Sequence, residues 1–251
     1  MFRIHAFHSS AIAGVLLVGA AAACSDTTGT GRVPVTLSMS GIARSPAMSI
    51  AATGPARAVT ITVGANTIVI TKAQVVLAHI ELARSAASSC ITTGDDRGCE
   101  EMKLDPMLVD LPVTPTVTQE LSVTLPAGTY NELEAKIRAP HGGDAGTGAF
   151  LAAHPEFAGK SVHVEGTYNG APFVYDGTAE AEIELAFNPP LTVSAGSPNN
   201  ATVHVDIASW FKDGSGNVID PSNTANASLI SDNIKRSFRV FKDDDKNGID
   251  D

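Results

Sequence analysis

The stretch Thr178-Ala179-Glu180-Ala181-Glu182-Ile183-Glu184-Leu185-Ala186-Phe187 decides the fold class. Successive side chains of a strand point to opposite faces. Ala179, Ala181, Ile183, Leu185 and Phe187 therefore share one face, and Glu180, Glu182 and Glu184 share the other. Upstream, Tyr130–Arg138 repeats the pattern, with Leu133, Ala135 and Ile137 inward and Glu132, Glu134, Lys136 and Arg138 outward. Downstream, Val203, Val205 and Ile207 alternate with Thr202, His204 and Asp206. Such strands belong to antiparallel sheets with one face on a core and one in water.

Shorter runs extend the series: 33–39, 48–52, 59–63, 67–71, 74–82, 101–104, 121–125, 161–168, 172–175 and 191–193. Asn169-Gly170, between two of them, is a hairpin signal because both positions tolerate positive φ. Pro126-Ala127-Gly128 joins another pair. Many short strands with Gly/Pro turns predict an all-β fold, an antiparallel β-sandwich of Greek-key type. Two segments break the alternation. Residues 139–160 form a Gly/Ala-rich crossover with room for one helical turn. Residues 224–241 read as a C-terminal amphipathic helix, with Ile230, Ile234, Phe238 and Phe241 as its apolar stripe. Asn223 or Thr224 is placed to cap its start. Lys235, Arg236, Arg239 and Lys242 crowd its end, where the helix dipole favours cations.

Of the 251 residues, 43% are hydrophobic and 18% charged, the proportions of a globular chain with a sizeable core. The net charge of −10 argues against nucleic acid or an anionic membrane surface as partner. Residues 11–23 (AIAGVLLVGAAAA) are uncharged and follow Arg3, His5 and His8. That run is too short to span a bilayer but suits the apolar core of a signal peptide. Ala21-Ala22-Ala23-Cys24 resembles the bacterial lipobox, with alanine where leucine is usual. The resemblance implies cleavage before Cys24 and a lipid on that cysteine. Ser25 stands where inner-membrane lipoproteins typically carry aspartate, so the analogy favours the outer membrane. The alternative is an ordinary secretory signal with an incidental cysteine. Cys90 and Cys99 remain, in the polar loop CITTGDDRGC. In an oxidising compartment a disulfide between them would contribute about 2–3 kcal/mol; the alternative, a metal or redox pair, lacks CxxC spacing. The expected layout is a signal peptide (1–23), a flexible tether (24–32), a sandwich (33–210), a loop and helix packing on it (211–242), and an acidic tail (243–251).

Val123–Ile137 (VTLPAGTYNELEAKI) resembles the most characteristic stretch of a domain-of-unknown-function family of secreted and lipid-anchored bacterial proteins. Ala73–Leu82 (AQVVLAHIEL) resembles its early strand, and Val109–Val113 (VDLPV) its mid-domain strand. The resemblance covers about residues 33–210 and implies an Ig-like or prealbumin-like sandwich. Carbohydrate binding has been suggested for some members. The motifs are structural, so no catalytic residue carries over.

Four features invite a chemical reading. In Asp243-Asp244-Asp245-Lys246-Asn247-Gly248-Ile249-Asp250-Asp251, oxygen ligands at positions one, three and five precede a glycine, as at the start of a calcium loop. Asp243, Asp245, Asn247, Ile249 (through its carbonyl) and Asp251 would hold Ca²⁺. The competing reading is a solvated acidic tail. Asp213-Gly214-Ser215-Gly216-Asn217, followed by Asp220, has a similar rhythm without the glycine and reads as a polar turn. His79/Glu81, His163/Glu165 and His204/Asp206 each sit two apart, on outward faces. If those strands were neighbours the pairs could hold Zn²⁺ or Cu²⁺; the competing reading is three unrelated solvent-face pairs. His141-Gly142-Gly143 is similar to an esterase oxyanion loop, but no GxSxG supplies a nucleophile. HExxH, GxxxxGK[ST] and GxGxxG are absent too.

Aromatic residues make up 5%, with a single tryptophan. Tyr168 and Tyr175 share a face with Val162, Val164 and Phe173 and are expected in the core, and Trp210 could anchor the C-terminal helix. The sequence thus points to a non-enzymatic, lipid-anchored envelope module that binds a glycan, an envelope protein or nothing small. The alternatives are a calcium-dependent carbohydrate-binding module and, third, a metal-dependent enzyme.

Overall fold

The computed structural model describes residues 32–41, 58–84, 105–114 and 117–250, without the side chains of 79, 81, 84, 119 and 120. Cys24, Cys90, Cys99, Asp251 and the expected strands 48–52 and 101–104 lie outside the described residues. Among the described residues eleven strands and two α-helices run in the order β1 (Arg32–Ser40), β2 (Val59–Val63), β3 (Asn66–Arg84), β4 (Met107–Asp110), β5 (Val117–Pro126), β6 (Gly128–Ile137), α1 (Thr147–Ala153), β7 (Val162–Tyr168), β8 (Ala171–Gly177), β9 (Ala181–Val193), β10 (Asn200–Val205), α2 (Ala227–Lys235) and β11 (Phe238–Lys242). The chain is an all-β sandwich. One sheet has the order β11-β10-β1-β5, and the other is built on β8-β7-β3-β6-β9, with β2 and β4 also paired to β3.

The alternation that decides the fold is realised in β9, where Ala181, Ile183 and Phe187 are buried and Glu182 and Glu184 exposed. Two expected strands, 67–71 and 74–82, are one continuous strand, β3. No turn residue separates them, and register shifts after Ile70 and Leu77 absorb the irregularity as bulges. Asn169 and Gly170 take φ of 49° and 83°, and pair β7 with β8. The VTLPAGTY motif also has a physical explanation. Tyr130 is wholly buried and its hydroxyl donates to the Pro126 carbonyl at 2.9 Å, which pins the turn between β5 and β6.

The sheets are antiparallel as expected except at one described pairing, where β1 runs parallel to β10 with Thr36 opposite Asn200. One expectation needs correction: the C-terminal helix is shorter than the spacing predicts. A 3₁₀ turn at Thr224–Asn226, capped by the Asn223 side chain, leads into α2, which ends at Lys235. Ser237 closes it, its amide and hydroxyl both returning to the Ile234 carbonyl. Phe238 and Val240 then alternate with Arg239 as β11, opposite Val205 and Val203. The spacing 234, 238, 241 satisfied a helical stripe, but the chain reads it with period two.

The core is continuous between the sheets. Ile207, Trp210, Phe211, Ile230 and Ile234 join it from the C-terminal segment, all wholly buried. Phe173 and Tyr175 of β8 meet Phe211 edge-on at 5.8 and 5.9 Å. Trp210 donates through Nε1 to Ser237 Oγ at 2.8 Å, so it fastens the end of α2. The crossover 139–160 holds α1, and Phe150 and Phe157 pack with Val76 into a small second cluster.

Candidate functional site

The three His/acid pairs do not converge. His163 and Glu165 of β7 lie opposite Gln74 and Lys72, in the first half of β3. His79 and Glu81, whose side chains lie outside the described residues, fall opposite Lys136 and Glu134 of β6. His204 belongs to the other sheet, and Asp206 follows the end of its strand β10. Among the described residues no three His, Cys, Asp or Glu side chains gather closely enough to hold a metal ion.

Each described pair has its own environment. His163 Nδ1 lies 2.8 Å from Asp176 Oδ1, and Nε2 lies 2.9 Å from Glu165 Oε1. Both carboxylates accept only if both ring nitrogens carry protons. Lys160 reaches Asp176 at 2.6 Å and Lys72 reaches Glu165 at 3.3 Å. The hydrogen bond from His163 holds Glu165 below the usual carboxylate range. Burial pushes Asp176 up, but the hydrogen bonds from His163 and Lys160 outweigh it and leave its carboxyl low. Phe157 stands edge-on to the His163 ring at 6.2 Å. Acidic and basic side chains alternate through this network, and each ring nitrogen has a carboxylate partner. Sequence reasoning missed Lys160 and Asp176 because they join only through the hairpin register.

His204 is nine-tenths buried. Its Nδ1 lies 2.9 Å from Ser40 Oγ, and its Nε2 has no partner among the described residues. Burial pushes this imidazole down, Arg239 lowers it further, and Asp206 opposes both. It belongs to a buried polar layer on the small sheet, with Ser38, Ser40, Asn200, Thr202 and Asp243. Ser38 donates to Asn200 Oδ1 at 2.8 Å, and Asn200 Nδ2 donates to the Asp243 carbonyl at 2.7 Å.

The acidic tail is the lid of that layer. The Asp243 carboxylate is wholly buried, accepting from the Thr202 hydroxyl at 2.6 Å, the Asn247 amide at 2.9 Å and the Gly248 amide at 3.0 Å. Asp245 accepts from Asn247, and Asn247 Oδ1 from the Ile249 amide. Lys246 and Gly248 take φ of 57° and 80°, which coils the chain around these oxygens. A Cβ on Gly248 would stand 3.0 Å from Val117 Cγ2, so the loop lies close over β5. Asp243, Asp245, Asn247 and Ile249 are thus brought into one tight loop.

The segment 213–217 is the expected polar turn. Asp213 accepts from the amides of Ser215 at 2.9 Å and Asn217 at 2.8 Å, and Lys212 and Val218 bridge across it. The Asn217 side chain, then its amide, hold the Asp213 carboxyl below its usual range. His141 is similarly structural, its carbonyl accepting from Thr147 Oγ1 at 2.9 Å. Tyr175 is buried as expected, and burial pushes its phenol up.

No protein-family model matches the chain, and no curated protein matches it. Among solved structures it is similar to MbnP from Methylosinus trichosporium, at 10% identity and a TM-score of 0.38, over 84% of this chain and 98% of that one.

Proposed function

We propose that the chain is a non-enzymatic module of the bacterial cell envelope, tethered through a lipid on Cys24 and offering a polar surface to an envelope glycan or protein. The observation that carries this reading is the junction of an apolar run, Ala21-Ala22-Ala23-Cys24, with a sandwich that begins at Arg32. The few residues between reach at most about 25 Å when extended, so such a lipid would hold the sandwich near the membrane surface. The non-enzymatic part draws on the His163 network, whose ring is held between two carboxylates rather than beside a nucleophile. The test is acylation. Wild-type protein should incorporate labelled fatty acid and partition into detergent, and Cys24→Ser should do neither. An unmodified, unprocessed amino terminus would defeat the tether. Turnover of ester, glycoside or peptide substrates by the purified protein would defeat the non-enzymatic reading.

A second reading concerns Ca²⁺ at the C-terminal loop, favoured by the wholly buried Asp243 carboxylate and the coil around it. Asp243, Asp245, Asn247 and the Ile249 carbonyl, with Asp251, supply oxygen of the type calcium takes. Here the ion would fasten the lid over β1 and β10. A titration by calorimetry tests it: heat that saturates with calcium supports the reading, and a flat trace at millimolar calcium rejects it.

A further inference from the structure

The polar face of α2 does not pack on the sandwich. It stands across a cleft of about 340 Å³ from the turn between β8 and β9. Ser228, Ser231, Asp232 and Lys235 line one wall; these positions recur every three or four residues and so share one helix face. Tyr175 and Thr178 line the other wall. Among the described residues none of these six side chains makes a hydrogen bond or ion pair. Tyr175 is the most telling of them. Its side chain is nine-tenths buried, with the ring against Phe211 and tucked close to Gly177, where a Cβ would stand 2.9 Å from Cε1. A phenol fixed this way has one polar atom to satisfy, in a side chain that borders the cleft.

We propose that this cleft binds a single saccharide unit. The idea rests on the glycan reading given above and locates its site. Four hydroxyls, a carboxylate and an ammonium can all be satisfied by sugar hydroxyls, each of which donates and accepts. Asp232 and Lys235 cancel in charge. Asp176 also borders the cleft, but its carboxylate is engaged by Lys160 and His163. The cleft therefore favours a neutral, hydroxyl-rich ligand over an ion. Its volume lies at the small end of ligand pockets, which suits one ring rather than a chain of them. The site is built without residues 243–251, so it needs no calcium.

The test is ligand-observed saturation-transfer NMR on purified protein carrying Cys24→Ser, with free hexoses and N-acetylhexosamines as probes and a chelator present throughout. At least one probe should give a saturable signal with Kd in the millimolar range, about −4 kcal/mol. Ser231→Trp, which fills the cleft from the helix, should weaken it at least about tenfold, or 1.4 kcal/mol. Thr178→Trp fills it from the other wall and serves where the first variant does not fold by circular dichroism. No signal from any probe overturns the proposal, as does a signal that survives both folded variants. A signal that appears only when calcium replaces chelator also overturns it and moves the binding to the C-terminal loop. None of these outcomes bears on acylation at Cys24, so the tethered-module reading stands or falls separately.

Discussion

Asp213-Gly214-Ser215-Gly216-Asn217 and Asp243-Asp244-Asp245-Lys246-Asn247 wind the chain by the same device, an aspartate that accepts amides two to five residues ahead. They differ in what lies beneath. The first closes a small bridge at the surface, and its carboxylate faces water. The second is pressed onto the small sheet, where the carboxylate is wholly buried and takes a third bond from the Thr202 hydroxyl. A buried anion is costly unless its hydrogen bonds are complete. The same local chemistry is therefore ornamental in one loop and structural in the other, and the neighbouring sheet decides which.

That contrast can be broken by mutation. Asp243→Ala leaves the Thr202 hydroxyl and the Gly248 amide without an acceptor, and the Asn247 amide with Asp245 alone, at a cost of about 3 kcal/mol. Tm should fall by roughly 6–12 °C. A Tm within a degree of wild type would show that the lid is not structural. Calcium sharpens the comparison next. At ten times its Kd it should stabilise by about 1.4 kcal/mol and raise Tm by roughly 3–6 °C. The rise should survive Asp213→Ala and vanish in Asp243→Ala; the reverse pattern would transfer the site to the exposed loop.

Acid separates the loops more gently. The Asp213 carboxyl is held low by its hydrogen bonds, so its contribution is present above the unfolded aspartate value and is lost as pH falls through the folded one. The amide signals of Ser215 and Asn217 should therefore titrate below the ordinary aspartate range in NMR. Titration at the ordinary value would mean the turn is open in solution. Glu165 and Asp176, also held low, carry the same sign: stability should decline on acidification through their folded values. Replacing His163 by Gln should flatten that decline. The smallest effect is Asp213→Ala, which should lower Tm by no more than about a degree, because the carboxylate is exposed, while broadening the 213–217 amide signals.

The class of fold was legible because period-two alternation reports burial directly. Glu180, Glu182 and Glu184 could not all face a core. The Asn169-Gly170 turn also fixes a register. Its register pairs His163 with Asp176, so half of the ion network could have been read from the sequence. Other features could not. The β1–β10 pairing joins segments far apart in the chain and has no local signature. The end of α2 has no such local mark, because Ile234, Phe238 and Phe241 also fit a helical stripe and the stop lies in the Ser237 bonds to Ile234. The cleft beside α2 was invisible for a related reason. Its walls come from two elements, and neither carries a pattern that marks a site.

The position of β1 between β5 and β10 sets an order of assembly. A chain made amino end first releases β1 early and β5 soon after. The parallel partner arrives much later, with His204 trailing its neighbour Ser40 by 164 residues. Until then one long edge of β1 stays bare, the kind of edge that recruits other chains. Distant partners also make for slow closure. Products truncated before Asn200 should thus be the aggregation-prone species of this protein, and the arrival of β10 is what retires that hazard.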